Sequence, residues 1–294
     1  MSYTCFDVDE ADHVAHVQLR RPDELNTMVP AFWRELPEIV AEISDRGSAR
    51  ALVLSSTGRH FSAGMDLAVF GGGFNLDAVT SGPGRSPDPA APAEAELGRT
   101  RANLRLNVLH LQEAFTALER ARMPVLAAVQ GGCIGGAVDM VCAADMRYAT
   151  ADAFFCIQEI NIGMTADVGT LQRLPKLIPE GIVREYAYTG RRMPAARAHE
   201  LGFVNAVFVD HHALLAGVHE IAAEIAARSP LAVWGSKEMI TYARDHTVGD
   251  GLNYMATWQA GMFHSQDMIE EFTAKAAKRS TEHPDLLAVR RGLE

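Results

Sequence analysis

The chain has 294 residues, 48% of them hydrophobic and 22% charged, with a formal net charge of -10. That length suits one large domain or two smaller ones, and the acidic balance argues against a nucleic-acid-binding surface while leaving local cations able to meet a small anionic ligand. No apolar run approaches the ~18 residues of a membrane span.

The acidic start, MSYTCFDVDEAD, lacks the apolar stretch of a leader peptide. The final RRGLE is not a peroxisomal address. A cytoplasmic location is therefore expected. The four cysteines, Cys5, Cys133, Cys142 and Cys156, form no CxxC pair, and no HExxH occurs. They are expected to be buried reduced thiols, with no metal and no cofactor.

His13 to Leu19 alternates loosely and predicts a strand that ends at Arg20, Arg21 and Pro22. Pro30 to Ser44 predicts a helix with Pro30 in its first turn, although Pro37 would disturb it. Arg50 to Ser55 predicts a buried strand, followed by a Gly-containing turn from Gly58 to Leu67. Gly71 to Gly98 is rich in Gly, Pro and Ala and is expected to be mostly a mobile loop. Arg101 to Arg120 carries apolar residues at helical spacing: Leu104, Val108, Leu111, Phe115 and Leu118.

Pro124 to Val129 predicts a second buried strand, followed by Gly131, Gly132, Gly135 and Gly136 and then a helical segment, Ala137 to Ala144. A Gly-rich turn opening a helix offers unpaired N–H groups to an anion and a close approach of backbone to ligand. Short helices are expected over Leu171 to Ile178, Ile182 to Tyr188 and Pro194 to Leu201, then a strand from Phe203 to Val209. From His212 onward the pattern is wholly helical. Strands mixed with helices, then helices alone, imply an α/β core with a helical C-terminal part.

Three acids stand out. Asp139 follows Gly136 by one helical turn, and Glu159 and Asp167 flank a loop around Gly163. Each has apolar neighbours, where a carboxyl is costly unless paired, neutral or employed. Any one of them alone reads as a satisfied core or capping residue; three beside a Gly-rich turn point to a site. The turns FSAGMD (61–66) and GGCIGGAVD (131–139) can bring two N–H donors onto one oxygen, an oxyanion hole. No P-loop, GxGxxG or GxSxG motif is present. Ser62 has no convincing base, His60 being a weak candidate.

These segments resemble the crotonase, or enoyl-CoA hydratase/isomerase, superfamily. RPDELN (21–26), FSAGMDL (61–67), GGCIGGAVDMVCAADMRYA (131–149) and GTLQRLPKLI (169–178) carry the resemblance. Asp139, Glu159 and Asp167, with VDM, QEI and TADVGTLQRLPK around them, resemble the dienoyl-CoA isomerase branch. The resemblance implies an α/β fold with a ββα spiral core over 1–209 and a helical oligomerisation region over 210–294. It implies a homotrimer or a hexamer of two trimers, and an acyl-coenzyme A substrate. By position, Ala63 and Gly136 would give the oxyanion N–H groups. Arg21, Ala63, Gly64, Met65, Asp66, Gly136 and Lys275 would meet the CoA thioester, with Arg59 and Lys278 as further cations for its phosphates.

The implied reaction moves a proton from C2 to C6 of a 3,5-dienoyl-CoA, in fatty acid β-oxidation. Glu159 is expected to take the C2 proton, Asp167 to deliver one at C6, and Asp139 to act as a third polar group. The rival expectations are a 2-enoyl-CoA hydratase using Asp139 and Glu159 on water, and a non-catalytic CoA-binding or assembly subunit. Ala137, where the family has a third Gly, Lys275, where it often has Phe, and the unmatched 71–98 loop depart from the pattern.

Overall fold

The computed structural model describes residues 3–66 and 93–290. The chain begins with an antiparallel hairpin, β1 (Phe6–Ala11) and β2 (Val14–Leu19), paired from Phe6–Leu19 to Ala11–Val14. Its two turn residues, Asp12 and His13, both take positive φ (49° and 64°), the backbone of a tight hairpin turn. The strand expected from His13 thus starts one residue later. β1 escapes the sequence pattern because only Phe6 is buried; FDVDEA is an edge strand with Asp7 and Asp9 in solvent.

β2 pairs in parallel with β3 (Ala51–Ser56), β3 with β4 (Val125–Val129), β4 with β6 (Met146–Thr150) and β6 with β9 (Ala206–Phe208), giving the order β1-β2-β3-β4-β6-β9. β3 and β4 are buried along their whole length. Their alternate residues serve two cores, as befits strands covered on both faces. Leu52, Leu54, Val125, Ala127 and Val129 meet α1 (Pro30–Arg46) and α2 (Ala93–Arg120) through Phe32, Leu36, Ile39, Phe115 and Leu118. Ala51, Val53, Leu126 and Ala128 meet α7 (His211–Ala226) through Leu214, Val218 and Ala222.

α1 runs unbroken through Pro37. The proline costs about 3 kcal/mol, and six buried side chains, Phe32, Trp33, Leu36, Ile39, Val40 and Ile43, each contribute roughly 1.5–3 kcal/mol of burial along one face. α2 begins eight residues before the expected start, so 93–98 belongs to a helix rather than the predicted loop. The rest of that loop, 71–92, lies outside the described residues.

A second, small sheet joins β5 (Gly132–Ile134), β7 (Phe154–Cys156) and β8 (Met193–Pro194). Strands of three and two residues carry too little periodicity to be read in sequence. Between them lie α3 (Gly136–Cys142) and, after β7, a 3-10 turn (Glu159–Ile162), α4 (Thr170–Arg173) and α5 (Glu180–Thr189); α6 (Ala195–Glu200) follows β8. The C-terminal helices are α8 (Pro230–Asp245), α9 (Val248–Met262) and α10 (Ser265–Ala277). Among the described residues no helix is long and apolar enough to cross a membrane.

Candidate active site

The site forms where the small sheet meets the ends of β3 and β4. Phe61 N–H donates to the Gln130 carbonyl, Ser62 N–H to Gly132 and Ile134 N–H to Ser62, at 2.8, 3.2 and 3.1 Å. Ser62 and Cys133 thereby form a parallel bridge. Beyond the bridge Gly64 lies against Ile134 and Gly135, so Met65, the next residue, is carried towards the start of α3 at Gly136. The close approach is real: a Cβ on Gly64, whose φ is +83°, would lie 2.6 Å from the Ile134 carbonyl oxygen. Only glycine fits there.

Asn26 fixes this turn. It is buried at 2% exposure and donates to the Thr57 and His60 carbonyls at 2.8 and 3.1 Å. Its side-chain oxygen accepts the Arg21 N–H, and its carbonyl accepts the Ser62 hydroxyl. RPDELN is therefore a clamp on the loop at 57–62, a role its spacing alone did not reveal. Ser62 also accepts from Gly64 N–H, and His60 Nδ1 accepts from Gly132 N–H at 2.9 Å. Both are structural, so no serine nucleophile arises.

The expected donor Ala63 is corrected. Its N–H is spent on the Leu25 carbonyl at 3.0 Å. Gly64 N–H goes to Ser62 and Asp66 N–H to the Met28 carbonyl. Among the described residues, Met65 N–H has no such partner, and Gly136 N–H is the first, unbonded donor of α3. Met65 and Gly136 directly follow Gly64 and Gly135, which lie against each other. Asp66 accepts the Thr27 hydroxyl at 3.0 Å, and the Arg21 guanidinium donates to the Thr27 carbonyl at 2.9 Å. Both brace the turn.

The three acids converge beside these donors. Gly135 N–H donates to the Cys156 carbonyl at 2.9 Å, tying β7 to the turn. Three residues on, Glu159 places Oε1 3.2 Å from where a Gly135 Cβ would stand. Asp139 is fully buried on α3 and accepts Thr170 N–H at 2.5 Å, capping α4. Asp167 lies three residues before Thr170 and is exposed, with its carbonyl held by Gln112 of α2 at 2.7 Å.

Among the described residues Asp139 Oδ2 and Glu159 Oε2 are buried without a hydrogen-bond partner, which a folded protein rarely leaves without cause. Burial pushes the Asp139 carboxyl up to about 6, Thr170 N–H opposing and the Asp167 charge adding. Burial pushes Glu159 to about 7, with the Asp139 charge and then Asp167 adding to it. Burial also raises Asp167. Three carboxyls that share one field, each held above its ordinary value, can move protons.

Among the described residues no bond joins Lys275 to this site. It is exposed on α10, whose hydrogen bonds and ion pairs run to Ser229 and to 279–283. Lys278 ends that helix in a left-handed cap. The four cysteines are buried and unpaired. Among the described residues no group of three or more His, Cys, Asp or Glu is arranged to hold a metal ion.

The family model for enoyl-CoA hydratase/isomerase matches residues 9–85 and 94–285. The mouse protein named Delta(3,5)-Delta(2,4)-dienoyl-CoA isomerase, mitochondrial, is 44% identical over 270 residues, 92% of this chain and 78% of that protein. An Arabidopsis thaliana protein of the same name, peroxisomal, is 37% identical over 90% of this chain and 91% of its own length. A crystal structure of enoyl-CoA hydratase from Bacillus anthracis superposes with a TM-score of 0.80 at 28% identity, covering 95% of this chain and 99% of that one. The chain belongs to the enoyl-CoA hydratase/isomerase family and has its crotonase fold. The expected cytoplasmic location is overturned, because the similar proteins carry mitochondrial or peroxisomal names.

Proposed function

We propose that the protein isomerises a 3,5-dienoyl-CoA to the conjugated 2,4-dienoyl-CoA by moving a proton from C2 to C6, a step of fatty acid β-oxidation. The observation that carries this reading is the meeting of Asp139, Glu159 and Asp167 beside two unbonded N–H groups. It agrees with the names of the relatives in mouse and Arabidopsis.

The thioester carbonyl accepts from Met65 and Gly136 N–H. As charge moves onto that oxygen the two bonds strengthen, so the enolate is stabilised more than the ground state. Glu159 stands against Gly135, next to the Gly136 donor, and so faces C2, the carbon bonded to that carbonyl carbon. A base with a carboxyl near 7 is half ionised at neutral pH and well matched to its task. The anion delocalises from C2 to C6, and Asp167, further along the loop, returns a proton there.

Seating an apolar acyl chain against the exposed Asp167 removes its water and raises its carboxyl further, which favours the protonated form that returns a proton at C6. Asp139 holds α4 and keeps a charge beside Glu159. Asp167 favours isomerisation over hydration of a 2-enoyl-CoA, which needs no third acid. No cofactor enters; coenzyme A is part of the substrate. Arg59, exposed two residues before Phe61, is a cation suited to its phosphates.

Residues 1–209 form the catalytic core in this reading, and 210–294 the assembly region of a homotrimer or hexamer. Ile240, Val248, Leu252, Phe263 and Phe272 are exposed apolar residues on α8 to α10 and in the turn after α9, a surface fit for partner chains. The direct test supplies a 3,5-dienoyl-CoA and, separately, a 2-enoyl-CoA, and follows ultraviolet absorbance. Fast gain of conjugated diene with slow loss of enoyl conjugation supports the isomerase. Fast enoyl loss with no diene gain overturns it.

A further inference from the structure

Beneath the acid loop lies a chain of charges that the proton transfer does not use. Arg173, on α4, donates from Nη2 to Glu119 Oε2 at 2.7 Å, and Glu119 Oε1 accepts from Arg244 Nη1 at 2.5 Å. The side chains of Arg173 and Glu119 are only 12% and 11% exposed. Burial works against the Glu119 charge, yet hydrogen bonds and attraction from Arg173 and Arg244 hold its carboxyl below the ordinary value. Such a buried pair is a poor way to gain stability, because desolvation offsets most of the attraction. Its location suggests another use.

Arg173 is bonded to the loop it lies under. Its Nη1 donates to the Val168 carbonyl at 3.4 Å, and Nη2 to the Thr116 hydroxyl at 3.2 Å. Gly169 has a φ of +136°, and a Cβ there would collide with the guanidinium, so the chain is stripped to glycine where the arginine passes. Residues 112, 116 and 119 lie on one face of α2. Gln112 holds the Asp167 carbonyl, while Thr116 and Glu119 hold Arg173. The same loop supplies the Thr170 N–H that caps Asp139, and Arg173 is a positive charge that Asp139 feels.

The third member comes from the C-terminal helices. Arg244 ends α8. Further up that helix, Lys237 is 6% exposed, donates to the Leu118 and Met123 carbonyls at 2.8 and 3.0 Å, and pairs with Asp145 at 2.9 Å. α8 therefore grips the end of α2 at two points, Arg244 at the Glu119 carboxyl and Lys237 at the Leu118 carbonyl and, just past the helix, that of Met123.

We propose that Glu119, Arg173 and Arg244 are positioning residues: a buried relay from α8 through α2 that holds the 167–170 loop, and with it Asp167 and Asp139, in the geometry for proton transfer. This rests on the isomerase reading for its kinetic readout, but its electrostatic readout does not. The C-terminal helices then act on the acids as well as on the surface.

The test pairs Arg173→Met with Glu119→Gln. Either change alone leaves a buried charge unpartnered and is expected to destabilise; the double variant removes both and recovers most of the lost stability. A merely structural pair would recover activity along with stability. The relay predicts that the double variant unfolds close to wild type and yet keeps a kcat for diene formation lower by about tenfold, with KM within about twofold. Loss of the Arg173 charge also raises the Asp139 carboxyl, so its titration, followed by carbon-13 NMR of labelled aspartate, moves upward by about half a unit or more. Arg244→Gln, at a more exposed site, gives a smaller fall in kcat in the same direction. Full recovery of kcat in the double variant, or an unmoved Asp139 titration, overturns the proposal. The titration needs no substrate, so a wild-type protein inactive on the diene sinks the isomerase reading while the relay is still decided.

Discussion

Asp139 is the buried acid whose ionisation the fold opposes, and that opposition is measurable as stability. Its carboxyl sits at about 6 instead of the ordinary 3.8. Below pH 3.8 it is neutral in both folded and unfolded chains. As pH rises the unfolded chain loses the proton first, so the folded state binds more protons and stability falls until pH passes about 6. The loss is about 2.2 units at 1.36 kcal/mol each, or about 3 kcal/mol. Asp139→Asn keeps an oxygen for Thr170 N–H and cannot ionise. Its amide group would be buried where Oδ2 has no partner, a cost of about 1–3 kcal/mol that does not change with pH. The difference in unfolding free energy between variant and wild type should therefore shift by about 2.5 kcal/mol in favour of the variant between pH 4 and pH 8, the rest of the effect lying below pH 4. Urea denaturation at the two pH values reads it directly. A difference that stays constant with pH would refute the assignment of Asp139 as a desolvated charge.

The kcat/KM for diene formation should fall as pH drops through about 7, because Glu159 must be ionised to accept the C2 proton; a pH–rate profile checks this, and a flat acid side argues for another base. Glu159→Gln should lower kcat by roughly 10²–10⁴. In Asp167→Asn, exchange of the C2 hydrogen with solvent deuterium should persist while diene formation is lost; label appearing first at C6 would show the roles to be exchanged. Replacing the Met65 N–H by an ester oxygen through semisynthesis should reduce kcat by about 10²–10³, whereas the same change at Ala63, whose N–H is bonded to Leu25, should weaken folding with little effect on kcat. Asn26→Ala should destabilise by at least about 1–3 kcal/mol through buried groups left unpaired, read from denaturant midpoints.

The long elements and the family were legible in the sequence because their signals are local. β3, β4 and the C-terminal helices follow from runs and periods of apolar residues that neighbours in the chain supply themselves. The three acids and the two Gly turns were visible for the same reason, since carboxyls among apolar residues and paired glycines stand out wherever they fall. The edge strand β1 and the short strands β5, β7 and β8 were not, because each exists through a partner far along the chain.

The donor of the oxyanion hole shows the limit most plainly. Ala63 and Met65 both lie in FSAGMD, and nothing local separates them. Leu25, nearly forty residues earlier, takes the Ala63 N–H, and the approach of Gly64 to Ile134 and Gly135 carries Met65 towards the start of α3. Lys275 differs: it is exposed, but the bonds of its helix run to Ser229 and 279–283, and none of them to the acids. The sequence determined which chemical groups the protein has and the family it belongs to. Tertiary structure decided which of those groups are already engaged and which stand together, since a backbone donor is available only when no distant segment has reached it first.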